Sequence, residues 1–134
     1  MNKRIANPRD RKTKKLLAII LPELKKGEHY AGIALKDGKP SHHLVLLPGE
    51  AVDVTWDKAV AWAKKQGGEL PSRQEQSLLF TNVKEHFQPR YYWSAEEYAS
   101  GSACAWSQGF DDGYQDGWHK GDENRARAVR RVAI

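Results

Sequence analysis

The last third of the chain constrains the fold most. Ala103 to Phe110 and Ala126 to Val132 alternate between two kinds of side chain, the period of a β-strand, and Tyr91-Tyr92-Trp93-Ser94 is a short aromatic strand-like run. From Asp111 to Asn124 the chain is rich in Gly, Asp and aromatic residues and shows neither helical nor strand period. A small domain keeps so long an irregular connection mainly when the loop has a function. Tyr, Trp and small polar side chains on a stiff scaffold are what binding surfaces use, because they give contact area at low entropic cost. The expectation is recognition rather than catalysis, with Asp111, Asp112, Tyr114, Gln115, Asp116, Trp118, His119 and Lys120 as the ligand-binding residues.

Upstream, Tyr30 to Leu35 and His43 to Leu47 flank Lys36-Asp37-Gly38-Lys39-Pro40, and Asp-Gly between apolar runs is a hairpin signal. Two helices follow. Thr55 is placed to cap the first, with Asp57 favouring its dipole and Trp56, Ala59, Val60 and Ala63 at helical spacing before Gly67-Gly68. Ser72 and Glu75 have the spacing of a capping box for the second, whose stripe is Gln76, Leu79, Phe80 and Val83. The order predicts an α+β fold: two helices on a small, mostly antiparallel sheet, with a long irregular C-terminal loop.

The charge divides the chain. Residues 1–26 hold nine Lys and Arg against two acids, whereas the remaining residues hold thirteen against fifteen, so the net charge of +5 comes from an N-terminal arm. The domain is expected over 27–134, preceded by a basic arm, 1–26, with a short amphipathic helix from Thr13 to Leu21 ending at Pro22. Lys12, Lys14 and Lys15 are the phosphate contacts of an alternative reading, in which the arm holds nucleic acid. The apolar run Leu16 to Leu21 is too short for a membrane span or a secretory core, so a cytoplasmic protein that keeps its N-terminus and has no membrane partner is expected. A single cysteine, Cys104, provides neither an internal disulfide nor a zinc set.

From Val54 to Val132 the chain resembles the C-type-lectin-like fold, and more narrowly the Lcl C-terminal-like family of bacterial and phage domains. The resemblance rests on Trp56, Ala59 and Ala63, on Gly68-Glu69-Leu70-Pro71-Ser72-Arg73-Gln74-Glu75, and on Tyr92-Trp93-Ser94, Ala105-Trp106, Phe110 and Arg127 to Val132. The family's domains are of largely undefined function, so the expected role as a non-enzymatic binding module comes from the 111–124 loop and the lack of a catalytic signature, and the compact form with a charged arm is similar to phage or prophage accessory proteins. Sugar-binding lectins of this fold carry paired disulfides and a calcium motif; here Gln88-Pro89-Arg90 puts a cation where a ligand would stand. The reactive cysteines of formylglycine-generating enzymes have no counterpart beyond Cys104. A protein partner is therefore favoured over a sugar. The variable proteins of diversity-generating retroelements share the fold, and the 111–124 loop is similar to theirs in composition.

Other constellations argue less. Asp111, Asp112, Asp116, Asp122 and Glu123 lack the spacing of a calcium loop and include Lys120 among them, so a solvated acidic loop without metal or cofactor is expected. Strand alternation splits Arg125, Arg127, Arg130 and Arg131 between faces, and at least one is expected to pair with Glu69, Glu75 or a loop acid. His42-His43 reads as a surface pair. Ser94, Ser100, Ser102 and Ser107 lie near Cys104 and His119 in sequence but form no nucleophile-elbow or Cys-His signature, leaving an enzyme of unknown reaction as the third reading.

Overall fold

Alternating apolar positions in the first strands and in the chain's last residues create one sheet, and the aromatic segments between create another. The computed structural model describes residues 20–134; the expected helix over Thr13–Leu21 lies almost wholly outside them, as do Lys12, Lys14 and Lys15. The strands β1 (His29–Lys36) and β2 (Lys39–Leu46) form the expected hairpin, turning through Asp37 and Gly38, both at positive φ. That backbone twist matches the twist of paired strands, and Asp and Gly adopt it at least cost. The last strand, β8 (Val129–Ala133), pairs antiparallel with β2 and completes a three-stranded sheet.

The helices α1 (Trp56–Lys65) and α2 (Arg73–Val83) lie where the periodicity puts them. The Thr55 side chain makes no cap hydrogen bond, but its carbonyl accepts from Ala59 N. Both halves of the capping box form at α2: Ser72 Oγ accepts from Glu75 N at 3.1 Å, and Glu75 Oε1 accepts from Ser72 N at 2.9 Å.

A second sheet runs β3 (Ala51–Val54), β7 (Asn124–Ala126), β4 (Tyr91–Glu97), β5 (Cys104–Gly109) and β6 (Gln115–His119), antiparallel except where β4 meets β7. Three expectations need correction. There are two sheets, not one. The 111–124 stretch is not irregular: Gln115–His119 is an edge strand paired residue for residue with β5. Asp and Gly are poor strand formers in isolation, and partner pairing overrides that propensity. Finally, the closing strand is broken at Arg127-Ala128, where the chain leaves the second sheet and enters the first. Strand alternation continues through such a crossing, so periodicity alone does not reveal it.

Arg127 holds that crossing. It is 8% exposed and donates from Nη1 to the His86 carbonyl and from Nη2 to the Leu47 carbonyl, at 2.6 and 2.8 Å. The core divides around it. Leu44, Leu46, Leu79, Phe87, Tyr92 and Phe110 pack beneath α2, with Phe87 and Phe110 stacked at 3.9 Å; Leu47, Ala59, Ala63, Leu70, Trp93 and Ala126 pack beneath α1.

Candidate functional site

The ladder register decides which side chains share a face. Tyr91 and Trp93 of β4 stand opposite Gly109 and Ser107, while Asp116 and Trp118 of β6 stand opposite Ser107 and Ala105. Strand alternation therefore puts Tyr91, Trp93, Asp116 and Trp118 on one face, and Tyr92, Trp106, Gln108 and Gln115 on the other. The second face is closed by α2. Gln76 Nε2 donates to the Tyr92 carbonyl, Gln108 Nε2 to the Gln76 carbonyl, and Gln115 Nε2 to the Arg73 carbonyl. Arg73 lies 3.5 Å from the centre of the Trp106 ring, and Tyr98 stacks on the same indole.

The first face is closed at one end only. There Trp93 Nε1 donates to the Val54 carbonyl, Trp56 Nε1 donates to the Ser94 carbonyl, and Lys120 pairs with Glu97 at 2.6 Å while standing over Trp56. At the other end the face opens into a cleft of about 300 Å³. Its wall is the Tyr91–Trp118 pair, with ring centroids 5.0 Å apart, and its rim includes Asp53, Arg90, Asp111, Glu123 and Arg125. Asp53 sits in the irregular stretch of β3 at φ +53°, a bulge conformation of the kind that re-aims a side chain. Behind the rim, Glu50 accepts from the Tyr92 hydroxyl and pairs with Arg125. Burial and the Glu50 contact push the Tyr92 hydroxyl well above its ordinary range.

The expected binding residues separate. Asp111 and Trp118 line the cleft, and Tyr114, 60% exposed, stands at the entrance to β6. Burial, followed by the charges of Asp112, Asp116 and Asp111, raises the Tyr91 hydroxyl pKa; Asp116 shares the Tyr91 face of the ladder, and Asp111 Oδ1 and the Tyr91 ring both lie against Gly109. Gln115 is turned to α2, His119 accepts from Gly121 N through Nδ1, and Lys120 is held by Glu97 at the closed end.

Tyr91, Asp53 and Arg90 were missed by the sequence reading. The period of two in Tyr91-Tyr92-Trp93 already separates Tyr91 from the buried Tyr92, a usable signal. Nothing comparable marks Asp53. The expected surface pair of histidines is corrected: His43 is buried with Nδ1 2.7 Å from the Tyr30 hydroxyl, and His42 Nε2 meets Glu75 at 2.7 Å. Alternation puts one ring on each side of β2, and α2 supplies the carboxylate. Arg131 pairs with both Glu69 and Glu75, as anticipated for a terminal arginine.

Among the described residues no group of three His, Cys, Asp or Glu side chains is arranged to hold a metal ion. Cys104 and His119 oppose each other in the β5–β6 ladder, but His119 Nδ1 is committed to the backbone and no hydrogen bond joins the two side chains. No helix among the described residues is long and apolar enough to cross a membrane. The chain matches no model of a known protein family, and no curated protein matches its sequence.

Proposed function

We infer that the chain is a non-enzymatic binding module of the C-type-lectin-like kind, related to the Lcl C-terminal-like domains, which recognises a protein partner through the Tyr91–Trp118 cleft and the neighbouring Tyr114. The observation that carries this reading is a half-open aromatic pair on the sheet face opposite the one that α2 packs against. Rings held by a strand ladder lose little freedom on binding, and Tyr and Trp are favoured contact anchors for that reason. The resemblance is supported by the helix pair followed by strands and by the burial of Ala59, Ala63, Leu70 and Trp93 within one core cluster. A cytoplasmic phage or prophage accessory role belongs to the same proposal.

The nucleic-acid alternative rests on the arm alone, because carboxylates on the cleft rim oppose a phosphate backbone. The test is affinity capture from host lysate, comparing wild type with a Tyr91→Leu/Tyr114→Ala variant and a Tyr98→Ala control on the opposite face. A partner lost only from the double variant supports the reading. A partner retained by the double variant, or capture of nucleic acid alone, refutes it.

A further inference from the structure

The first sheet has an outer face that is buried without a described cover. The register sets Tyr30, Val45 and Arg130 side by side, with Ile33, His43 and Val132 in the next row of the same face. Leu44, Leu46 and Val129 point the other way, into the core beneath α2. Val45 nevertheless has no exposed surface, and His43 is only 3% exposed. Among the described residues Val45 belongs to neither core cluster. Burial also raises the Tyr30 hydroxyl pKa, and that hydroxyl bonds His43 Nδ1 on this same face. The large apolar side chains of the flanking segments, Ile20, Leu21, Leu24, Leu35 and Ile134, are themselves exposed and do not form the cover.

His43 and Val45 are buried within a single chain, so their cover belongs to that chain and not to a second copy. Residues 1–19 are the part of it that lies outside the described residues. The described chain begins beside this face: Arg130 Nη2 donates to the Glu23 carbonyl at 2.9 Å, and Arg130 pairs with Glu28. Length suffices. Even at the helical rise of about 1.5 Å per residue, nineteen residues reach about 28 Å, and the eight residues of β2 span about 26 Å. The chemistry suits as well, because Leu16-Leu17-Ala18-Ile19 is the longest apolar run in that segment.

We propose that the N-terminal arm lies across the outer face of the first sheet, with Leu16, Leu17 and Ile19 set against His43, Val45 and Val132. Removal of apolar surface from water drives the contact. The neighbouring lysines stay at its margin, where their stems cover apolar surface and their charges remain in water. The basic arm is then part of the fold rather than an appendage to it. Such a strap closes the first sheet to partners, whether or not the Tyr91–Trp118 cleft binds one.

The test uses full-length protein with Cys104→Ser and a nitroxide label on Thr13→Cys, read by ¹⁵N–¹H spectra before and after the label is reduced. The amides of Tyr30, His43, Val45 and Val132 should lose intensity to the label, while those of Trp106 and Gly117 in the second sheet keep theirs. Adding Leu16→Asp/Leu17→Asp should restore the lost peaks. Nitroxide-labelled ¹⁴N protein mixed with label-free ¹⁵N protein should give no loss, because the arm covers its own sheet. First-sheet peaks untouched by the label, or loss spread evenly over both sheets, overturns the proposal. Loss in the mixed sample does so too, by assigning the cover to a second copy, as does a loss that survives the double aspartate change. Should the double variant fail to fold, the labelled parent and the mixed sample decide the outcome alone.

Discussion

Glu75 ties the second helix to the last strand, and its replacement by Gln gives a stability loss whose pH dependence follows from its surroundings. The side chain is 2% exposed. Oε2 accepts from Arg131 Nε at 2.7 Å and meets His42 Nε2 at 2.7 Å, while Oε1 accepts from Arg131 Nη2 at 2.8 Å and Ser72 N at 2.9 Å. Burial pushes this carboxyl up, but the Arg131 bonds and the Ser72 amide outweigh it and hold the pKa at about 2, against an ordinary 4.5. The difference of about 2.5 units, at about 1.4 kcal/mol each, is worth about 3 kcal/mol.

The folded-state pKa is depressed, so this contribution is complete above the unfolded value near 4.5 and is lost as pH falls through about 2. Glu75→Gln keeps the shape and removes the charge. Urea unfolding followed by tryptophan fluorescence should show wild type more stable by about 3 kcal/mol near neutral pH, with the two curves converging as pH approaches 2. A gap that stays constant from pH 5 to pH 2, or is absent at neutral pH, would refute the assignment of that stability to the Glu75 charge.

Other changes probe the frame and the rim. Arg127→Met leaves the Leu47 and His86 carbonyls without their donors and should lower stability by about 2–4 kcal/mol, read as a fall in urea midpoint. Gly68→Ala drives a methyl into the Val129 carbonyl, part of the Glu69–Val129 bridge, and should cost a comparable amount in the same assay. Gly117→Ala meets only the Tyr98 ring, at 2.5 Å; that side chain is 55% exposed and can swing outward at the expense of its stack on Trp106, so a loss of about 1 kcal/mol is expected in the same assay. Asp53→Gly removes a side chain from a left-handed backbone and should leave the melting temperature unchanged or higher.

Local chemistry was legible in the sequence wherever one segment contained its own signal. The Asp37-Gly38 turn, the Ser72–Glu75 capping box and the spacing of Ala59 and Ala63 each specify a conformation within a few residues. What escaped depends on residues far apart in the chain. Gln115–His119 becomes a strand only because β5 lies beside it, and Arg127-Ala128 breaks a strand only because two sheets meet there. The candidate site shows the same division. Trp118 and Asp111 are conspicuous in a polar aromatic stretch, but the strand register assigns Gln115 and His119 to the face away from the cleft, and α2 or a nearby turn engages them. Tyr91 and Asp53 join the cleft from other strands, and only the assembled sheet brings them there.

The central claim is that the partner seats on the Tyr91–Trp118 wall. Its most direct test is a ¹⁵N–¹H spectrum of the indole groups, with the Trp118 signal assigned by Trp118→Phe, recorded while the captured partner is added. The Trp118 Nε1 resonance should move or broaden in proportion to binding, while those of Trp93 and Trp56, bonded to the Val54 and Ser94 carbonyls, stay in place. A saturating partner that leaves Trp118 unmoved and shifts Trp106 instead would place recognition on the opposite side of the sheet and contradict the account.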